Sequence, residues 1–384
     1  MPSITIFSCG DIVNTLHPNG LICSEETERV ISSADFSVCN FEAPIQGFGS
    51  PQPKSGPHIS QSPGTIAGLK KHGFDLLLLA NNHIMDFGAN ALEATINTAK
   101  RQGMETIGAG MNFEDAYQPL IKDINGMVVG FVNACEAQFG ALDYFKGSNE
   151  AGYSWINHQK IDEIIITTKS RCDFLIFYAH AGLENYPIPL KDWRNRYSRI
   201  CDLGADVVIA SHPHVPQGYE QYKNSLIFYS LGNFYFDHFE KKIKNTTKDN
   251  SYSVTLHLEK GVQPRFTLYF HATQKGLVTP TDKDMTAEIQ KLNDMLANDE
   301  YEKAHDKMSL EAYEAISTNL RYSLMPGFFD GNIKTSIKRL ASLALGRSRK
   351  IPKELLQLHL LRNDTYSYAT RHALEAKLKG IAKS

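Results

Sequence analysis

Carboxylate, amide and imidazole side chains recur in this chain at one kind of place, directly after a short apolar run. Gly10-Asp11 follows Ile4–Cys9, and Asn40-Phe41-Glu42 closes the run that begins at Phe36. Asn81-Asn82-His83 follows Leu76–Ala80, with Asp86 three residues beyond His83. His180-Ala181-Gly182 follows Phe174–Ala179, and His212-Pro213-His214 follows Val207–Ala210. Donors of these types together suit Mn, Fe or Zn, and the lack of cysteine among them disfavours a structural zinc site. Two histidines at i and i+2 in extended chain share a side. His212 and His214 are therefore expected to reach one metal cluster, with the proline between them stiffening the pair. Each piece has an ordinary alternative. Asp11 could cap a helix, Asn82 and His83 could satisfy a turn, His180 could be a hydrogen-bonded core histidine, and His-Pro-His is often a turn. All five placements arising independently is less probable than one shared site.

The apolar runs read as buried strands: Ile4–Cys9, Phe36–Asn40, Leu76–Ala80, Phe174–Ala179, Val207–Ala210 and Leu226–Leu231. Helical patterns lie between several of them, near Thr65–His72, Ala89–Arg101, Asp162–Arg171 and Lys191–Leu203. Strands alternating with helices predict an α/β layered domain, in which ligands bind outside the carboxyl ends of the strands. Asp123-Ile124-Asn125-Gly126 is a hairpin signal, because Asn-Gly tolerates positive φ at two successive residues. Ile121–Val132 is therefore expected to be antiparallel and the sheet mixed. Ser251–Leu258 and Arg265–Phe270 read as a final strand pair. Gly47–Pro63 reads as a long loop of the functional kind, and His238–Asn250 as a lysine-rich excursion.

The chain has 384 residues, enough for two domains, and its 42% hydrophobic content excludes a disordered chain. Forty basic and 42 acidic side chains leave a net charge of −2, so bulk charge does not point to nucleic acid. The expected division is a domain over 1–272 and a helical extension over 273–384. Charge is uneven in the second part: Asp282–Asp330 carries net −6 and Ile333–Ser384 net +9. No apolar run reaches the ~18–20 residues of a membrane span, and Met1–Cys9 lacks the pattern of a signal peptide. None of the six cysteines forms a C-x-x-C pair. A reduced, cytoplasmic setting is the expectation. There is no G-x-S-x-G, P-loop or G-x-G-x-x-G motif.

The ordered set Cys9-Gly10-Asp11, Asn40-Phe41-Glu42-Ala43-Pro44-Ile45, Ala80-Asn81-Asn82-His83-Ile84-Met85-Asp86-Phe87-Gly88, His180-Ala181-Gly182-Leu183-Glu184, Gly204-Ala205-Asp206, Ser211-His212-Pro213-His214-Val215 and Tyr229-Ser230-Leu231-Gly232-Asn233-Phe234 carries a resemblance. The sequence resembles the CapA family, of the capsule and poly-γ-glutamate biosynthesis type, within the calcineurin-like metallophosphoesterase superfamily. The match runs from about residue 3 to 238. It implies a four-layer αββα metallophosphoesterase-like sandwich, with the helical C-terminal region outside it. It also implies two divalent metal ions (Mn, Fe or Zn) held by Asp11, Glu42, Asn82, His180, His212 and His214, with Asn40 either a further ligand or an orienting group. The wider superfamily opens with Asp-x-His, whereas Asp11 is followed by Ile12-Val13. One metal therefore has one histidine fewer, a departure that CapA-type proteins share.

By the same resemblance His83 is the catalytic acid that protonates the leaving oxygen. Asp86 is a partner of that site or a helix cap. Glu184 either holds a histidine or lines the cleft, or is a solvated loop carboxylate. Asn233 lines the pocket or serves a structural turn. The implied activity is a binuclear metal-dependent hydrolase acting on a phosphoester or surface-polymer substrate, linked to capsule or exopolymer biosynthesis. The alternative is a non-catalytic metal-binding component of a polymer-assembly or export complex. In the basic region, Ile333, Ile337, Leu340 and Ala344 fall on one helical face amid Lys334, Lys338, Arg339, Arg347, Arg349 and Lys350. That pattern fits peripheral contact with an anionic membrane or acidic partner, or docking of the apolar stripe within the chain.

Overall fold

Alternation decides which way each strand of this protein faces. In the computed structural model, which describes residues 3–237, 250–281, 283, 285–324, 334, 337, 338 and 352–381, the chain divides into two compact units. They are Met1–Gln52 with His58–Asp299, and Pro53–Pro57 with Glu300–Ser384. The divide expected at 272/273 falls inside a strand, Arg265–Gln274, and one further strand and a helix still belong to the first unit.

The first unit runs β1 (Ser3–Val13), α1 (Glu25–Ser32), β2 (Phe36–Phe41), α2 (Thr65–Lys71), β3 (Leu76–Leu78), α3 (Ala89–Arg101), β4 (Glu105–Ile107), β5 (Ala109–Gly110), α4 (Phe113–Ala116), β6 (Leu120–Ile124), β7 (Met127–Cys135), β8 (Ala141–Leu142) and β9 (Gly152–Ser154). It continues α5 (Gln159–Lys169), β10 (Phe174–His180), α6 (Lys191–Asp202), β11 (Val207–Ser211), β12 (Tyr219–Tyr222), β13 (Ser225–Phe228), β14 (Asn233–Phe236), β15 (Asn250–Glu259), β16 (Arg265–Gln274), β17 (Leu277–Pro280) and α7 (Thr286–Leu296). One sheet has the order β17-β16-β15-β1-β2-β3-β4, with β14 also pairing with β1; a second has the order β12-β13-β11-β10-β7-β6. Strands β1 to β4 pair in parallel, as do β7, β10, β11 and β13, while β15, β16 and β17 and the edge strands β6 and β12 are antiparallel. Both sheets are mixed, as expected. Asn125 and Gly126 have φ of 51° and 86° in the β6–β7 turn, the geometry the Asn-Gly pair announces.

On β1, Ile4 and Ile6 join Val38, Leu76 and Leu78 of the same sheet against Val129, Phe131, Ile176 and Ile209 of the other. The intervening Phe7 and Cys9, with Cys39 and Leu77, instead pack under Ile31, Ile66, Leu69 and Leu92 of α1, α2 and α3. Helices α5 and α6 pack on the second sheet through Ile161, Ile164, Ile165, Trp193, Tyr197 and Ile200. The result is four layers, αββα. Each fully buried aromatic such as Phe7, Phe131 or Phe177 contributes about 1.5–3 kcal/mol. Polar contacts also cross between the sheets. Ser8 Oγ lies 2.8 Å from the Tyr178 hydroxyl, and Asn133 on β7 accepts from Ala80 N at 2.8 Å.

Helix α1 was not expected from periodicity, because its buried side is reduced to Thr27 and Ile31. Its signals are local: Ser24 caps Thr27 N, and Glu25, Glu26 and Glu28 complement the helix dipole. In the second unit, α8 (Glu300–Leu324) packs with the helices Lys353–Arg362 and Asp364–Ile381, burying Met308, Ala312, Ala369 and Ala373. This bears out the helical C-terminal region. No helix among the described residues is long and apolar enough to cross a membrane. Of the expected amphipathic basic stretch, Ile333, Leu340, Ala344, Arg339, Arg347, Arg349 and Lys350 lie outside the described residues, as does 238–249.

His271 on β16 supplies a pH prediction away from the site. It is buried, with Nε2 3.0 Å from Ser253 Oγ, and burial pulls its pKa from 6.5 down to about 3. Below pH 6.5 the unfolded chain takes up a proton that the folded protein refuses until about pH 3. Stability should therefore fall as pH drops through that window, by up to ~1.4 kcal/mol per unit from this group. Urea midpoints of wild type should fall relative to those of His271→Leu as pH drops from 6.5; a difference that does not change with pH would contradict this role.

Candidate metal centre

The strand alternation explains how donors from both sheets meet. Asn40 shares the parity of Phe36 and Val38, and His180 that of Phe174, Ile176 and Tyr178, so both point into the layer between the sheets. Asp11 has the parity of Phe7 and Cys9 and should face the helices. A register shift between Cys9 and Asp11 turns it round, so that Asp11 pairs with Asn40. Such a bulge re-aims a side chain at the cost of one unpaired residue. That residue is Gly10, and a Cβ there would stand 1.8 Å from Gly232 O. Asp11 N donates to the same carbonyl at 3.3 Å. Gly10→Ala is therefore expected to destabilise by about 3 kcal/mol, the upper end of overpacking costs, because the collision is with backbone. Urea denaturation measures it, and a loss under about 1 kcal/mol would show that the bulge can relax.

Asp11, Glu42 and His180 are fully buried and Asn40, Asn82, His83 and His212 nearly so. Two donor atoms stand at the same distance from His180 Nε2, Asn82 Oδ1 at 3.1 Å and His212 Nδ1 at 3.1 Å. Atoms ~2.0–2.2 Å from a shared ion would sit about that far apart. Glu42 Oε1 is 3.9 Å from His180 Nε2 and 3.9 Å from His214 Nε2, and Asp11 Oδ2 is 3.4 Å from His214 Nδ1. Three groups of potential ligand atoms result: Glu42, His180 and His212; Asp11, Glu42 and His214; and Glu184, His212 and His214. Glu42 belongs to two of them.

Asn40 turns its amide nitrogen, not its oxygen, to Asp11 Oδ1 at 2.7 Å, with His180 Nδ1 at 3.1 Å. A carboxylate only accepts, so toward Asp11 the Asn40 amide acts as an orienting donor. His212 and His214 are not in extended chain either. Their φ angles are 98° and 59°, a tight left-handed bend that still keeps the rings 5.9 Å apart. Ala43, next to Glu42, has φ 105°. Non-glycine residues in such conformations cost about 1–3 kcal/mol each and cluster at functional sites.

His83 stands apart from the three groups. Its Nδ1 is 2.7 Å from Asp86 Oδ2, and the same carboxylate oxygen accepts from Ile59 N at 2.7 Å. Asp86 thus partners His83 and the loop after Gly47, and Gly88, not Asp86, is the cap of α3. Asn233 Oδ1 lies 2.9 Å from His214 Nδ1. Glu184, half exposed, brings Oε1 to 4.0 Å from His212 Nε2. Two residues escaped sequence reasoning. Glu136 and Gln138 follow β7, and Glu136 Oε1 is 3.7 Å from His212 Nε2. The hairpin signal marked β7 as antiparallel, but its other edge pairs in parallel with β10, so its end belongs with the other strand ends.

Electrostatically the cluster is short of positive charge. Burial, then Asp11, pushes the Glu42 carboxyl well above its ordinary value. Burial pulls His212 down to about 4 and His180 well below 6.5. Burial also disfavours charge on His214, but Glu42 and Asp11 outweigh it and hold that ring up to about 10. Both Glu42 carboxylate oxygens are buried without a hydrogen-bond partner. Two neutral imidazoles and an orphaned carboxylate are a donor set that fits a cation. Cys9 and Cys39, beside these residues, are buried free thiols whose pKa burial raises, which is packing rather than chemistry.

The fold and the cluster define an αββα protein with a candidate metal centre at the carboxyl ends of both sheets. The chain belongs to the family described as bacterial capsule synthesis protein PGA_cap, whose model matches residues 5–238. It is 31% identical over 249 residues to the capsule biosynthesis protein CapA of Bacillus anthracis, covering 61% of this chain and 60% of that one. It is 28% identical over 262 residues to the PGA biosynthesis protein CapA of Bacillus subtilis (strain 168), covering 67% and 66%. The chain thus matches about 60% of the length of the Bacillus anthracis relative. Among solved structures, a putative 5'-nucleotidase from Staphylococcus aureus aligns with TM-score 0.45 and 14% identity, over 77% of this chain and 58% of that one.

Proposed function

We propose that the protein is a binuclear metal-dependent hydrolase of phosphoester-type bonds serving capsule or surface-polymer synthesis. The observation that carries this reading is Glu42, a carboxylate fully buried among imidazoles with no hydrogen bond to either oxygen. Left alone, such a group is costly; a bound cation would satisfy it. Asp11, Glu42, Asn82, His180, His212 and His214 would hold the ions. Two divalent ions supply Lewis acidity and a nucleophile at neutral pH. The rest falls to the chain. Asn40 fixes Asp11 by donating to it. Asp86 fixes the His83 ring by its contact at Nδ1, and Nε2 would be the nitrogen that passes a proton to a leaving oxygen. The capsule setting is taken from the family and from the names of the Bacillus relatives.

A second reading, a metal-binding component of an assembly or export complex without turnover, is favoured by Val13. This fully buried apolar residue occupies the place of the superfamily's second opening ligand. Turnover of an aryl phosphodiester by protein stripped with chelator and reloaded with Mn²⁺ separates the two. The hydrolase reading expects activity that is lost on stripping and restored on reloading. Reloaded protein that binds Mn²⁺ but turns nothing over would leave the second reading.

A further inference from the structure

Asn82 can serve a cation only with its oxygen turned inward. The asparagine amide is nearly symmetric in shape, so packing does not choose between Oδ1 and Nδ2; only hydrogen-bond partners do. Here Oδ1 faces His180 Nε2, and Nδ2 donates to Gln138 Oε1 at 3.4 Å. Gln138 has the same ambiguity, and Glu136 resolves it. Gln138 Nε2 donates to Glu136 Oε1 at 2.6 Å. Both Glu136 oxygens act as acceptors, Oε1 toward Gln138 and Oε2 toward Gly182 N, so Gln138 gives Glu136 its amino group, presents its oxygen to Asn82, and so draws Nδ2 of Asn82 outward. Glu136 is itself anchored: its Oε2 accepts from Gly182 N at 3.3 Å, and its N donates to His180 O at 3.1 Å. The Tyr153 hydroxyl accepts from Gln138 N at 2.9 Å and donates to Glu136 O at 3.2 Å, holding the backbone of both residues.

We propose that Glu136 and Gln138 form a positioning relay that keeps Asn82 Oδ1 turned toward the ion-binding cluster. This rests on the metal-binding reading above. Glu136 also approaches His212, so the test must separate action through Asn82 from direct action on the cluster.

A double-mutant cycle on Mn²⁺ affinity does so, by calorimetric titration of chelator-stripped protein. Glu136→Gln, whose amide can donate and so frees Gln138 to turn, should weaken binding ~10–100-fold, the usual effect of partners that orient a ligand. In an Asn82→Ala background the same change should cost no more than about 2-fold, since the group it acts through is gone. Equal losses in both backgrounds would overturn the relay and assign Glu136 a direct role. Gln138→Leu, which breaks the relay and keeps Glu136, should match Glu136→Gln; wild-type affinity in that variant would also overturn it, and this arm stands even if Glu136→Gln fails to fold. The melting temperature of each stripped variant shows whether the fold is intact. A flat titration of wild type itself would instead reject the metal reading.

Discussion

Glu42→Gln is expected to lose ion binding and, in the metal-free protein, to raise stability. The two effects share one cause. Glu42 is buried beside Asp11, between the neutral His180 and the protonated His214, with neither oxygen hydrogen-bonded, so the fold carries a poorly met charge or an unwanted proton. Replacing it with an isosteric neutral amide removes about 1–3 kcal/mol of that cost. The sign with pH follows from the raised pKa. Below the ordinary value of 4.5 both folded and unfolded chains hold the proton; above it the unfolded chain releases a proton that the folded protein still holds. Metal-free wild type should therefore lose stability from this group as pH rises above 4.5, and the advantage of Glu42→Gln should grow as pH rises from there. With Mn²⁺ present the order should reverse. Wild type gains about 2.7 kcal/mol at a free concentration 100 times Kd, and the variant gains nothing. Urea denaturation with chelator and with Mn²⁺ reads both effects. A variant less stable than wild type in chelator across this pH range would show that Glu42 is a structural residue.

His83→Ala should leave ion binding intact and lower turnover by ~10²–10⁴, the scale of a lost general acid. His83 lies outside the three ligand groups found among the described residues, and Asp86 contacts its ring at Nδ1. Asp86→Asn keeps the ring but changes the partner, so its loss should be smaller and show as a shifted pH–rate profile. His212→Ala, by contrast, should lose activity and ions together. Calorimetric Mn²⁺ binding beside steady-state rates distinguishes the cases. Full activity of His83→Ala would remove it from the chemistry, and loss of ions from that variant would move it into the ligand set.

The centre was legible in the sequence because its donors are conspicuous at the ends of apolar runs. The rule that ligands bind at the carboxyl ends of the strands gathers these donors at one edge; the choice of Asp11, Glu42, Asn82, His180, His212 and His214 as ion ligands comes from the resemblance to the CapA family. What stayed hidden depends on pairing across distant strands. The bulge that turns Asp11 inward is set by the approach of Gly232, more than 200 residues away, to Gly10. Glu136 was masked by a hairpin that describes only one edge of β7. The left-handed bend at His212 and His214 is maintained against local preference by the cluster around it, which no period or propensity encodes. Asn40 shows a further limit: residue type allowed either an oxygen or a nitrogen to face the site, and only the neighbouring carboxylate decides.

The most direct measurement of the central claim is the metal content of full-length protein purified without chelator, read by elemental analysis. A binuclear centre predicts close to two equivalents of Mn, Fe or Zn per chain, falling in Glu42→Gln and unchanged in His83→Ala. Wild-type protein that holds no metal, and takes up none when Mn²⁺ is supplied, would contradict it.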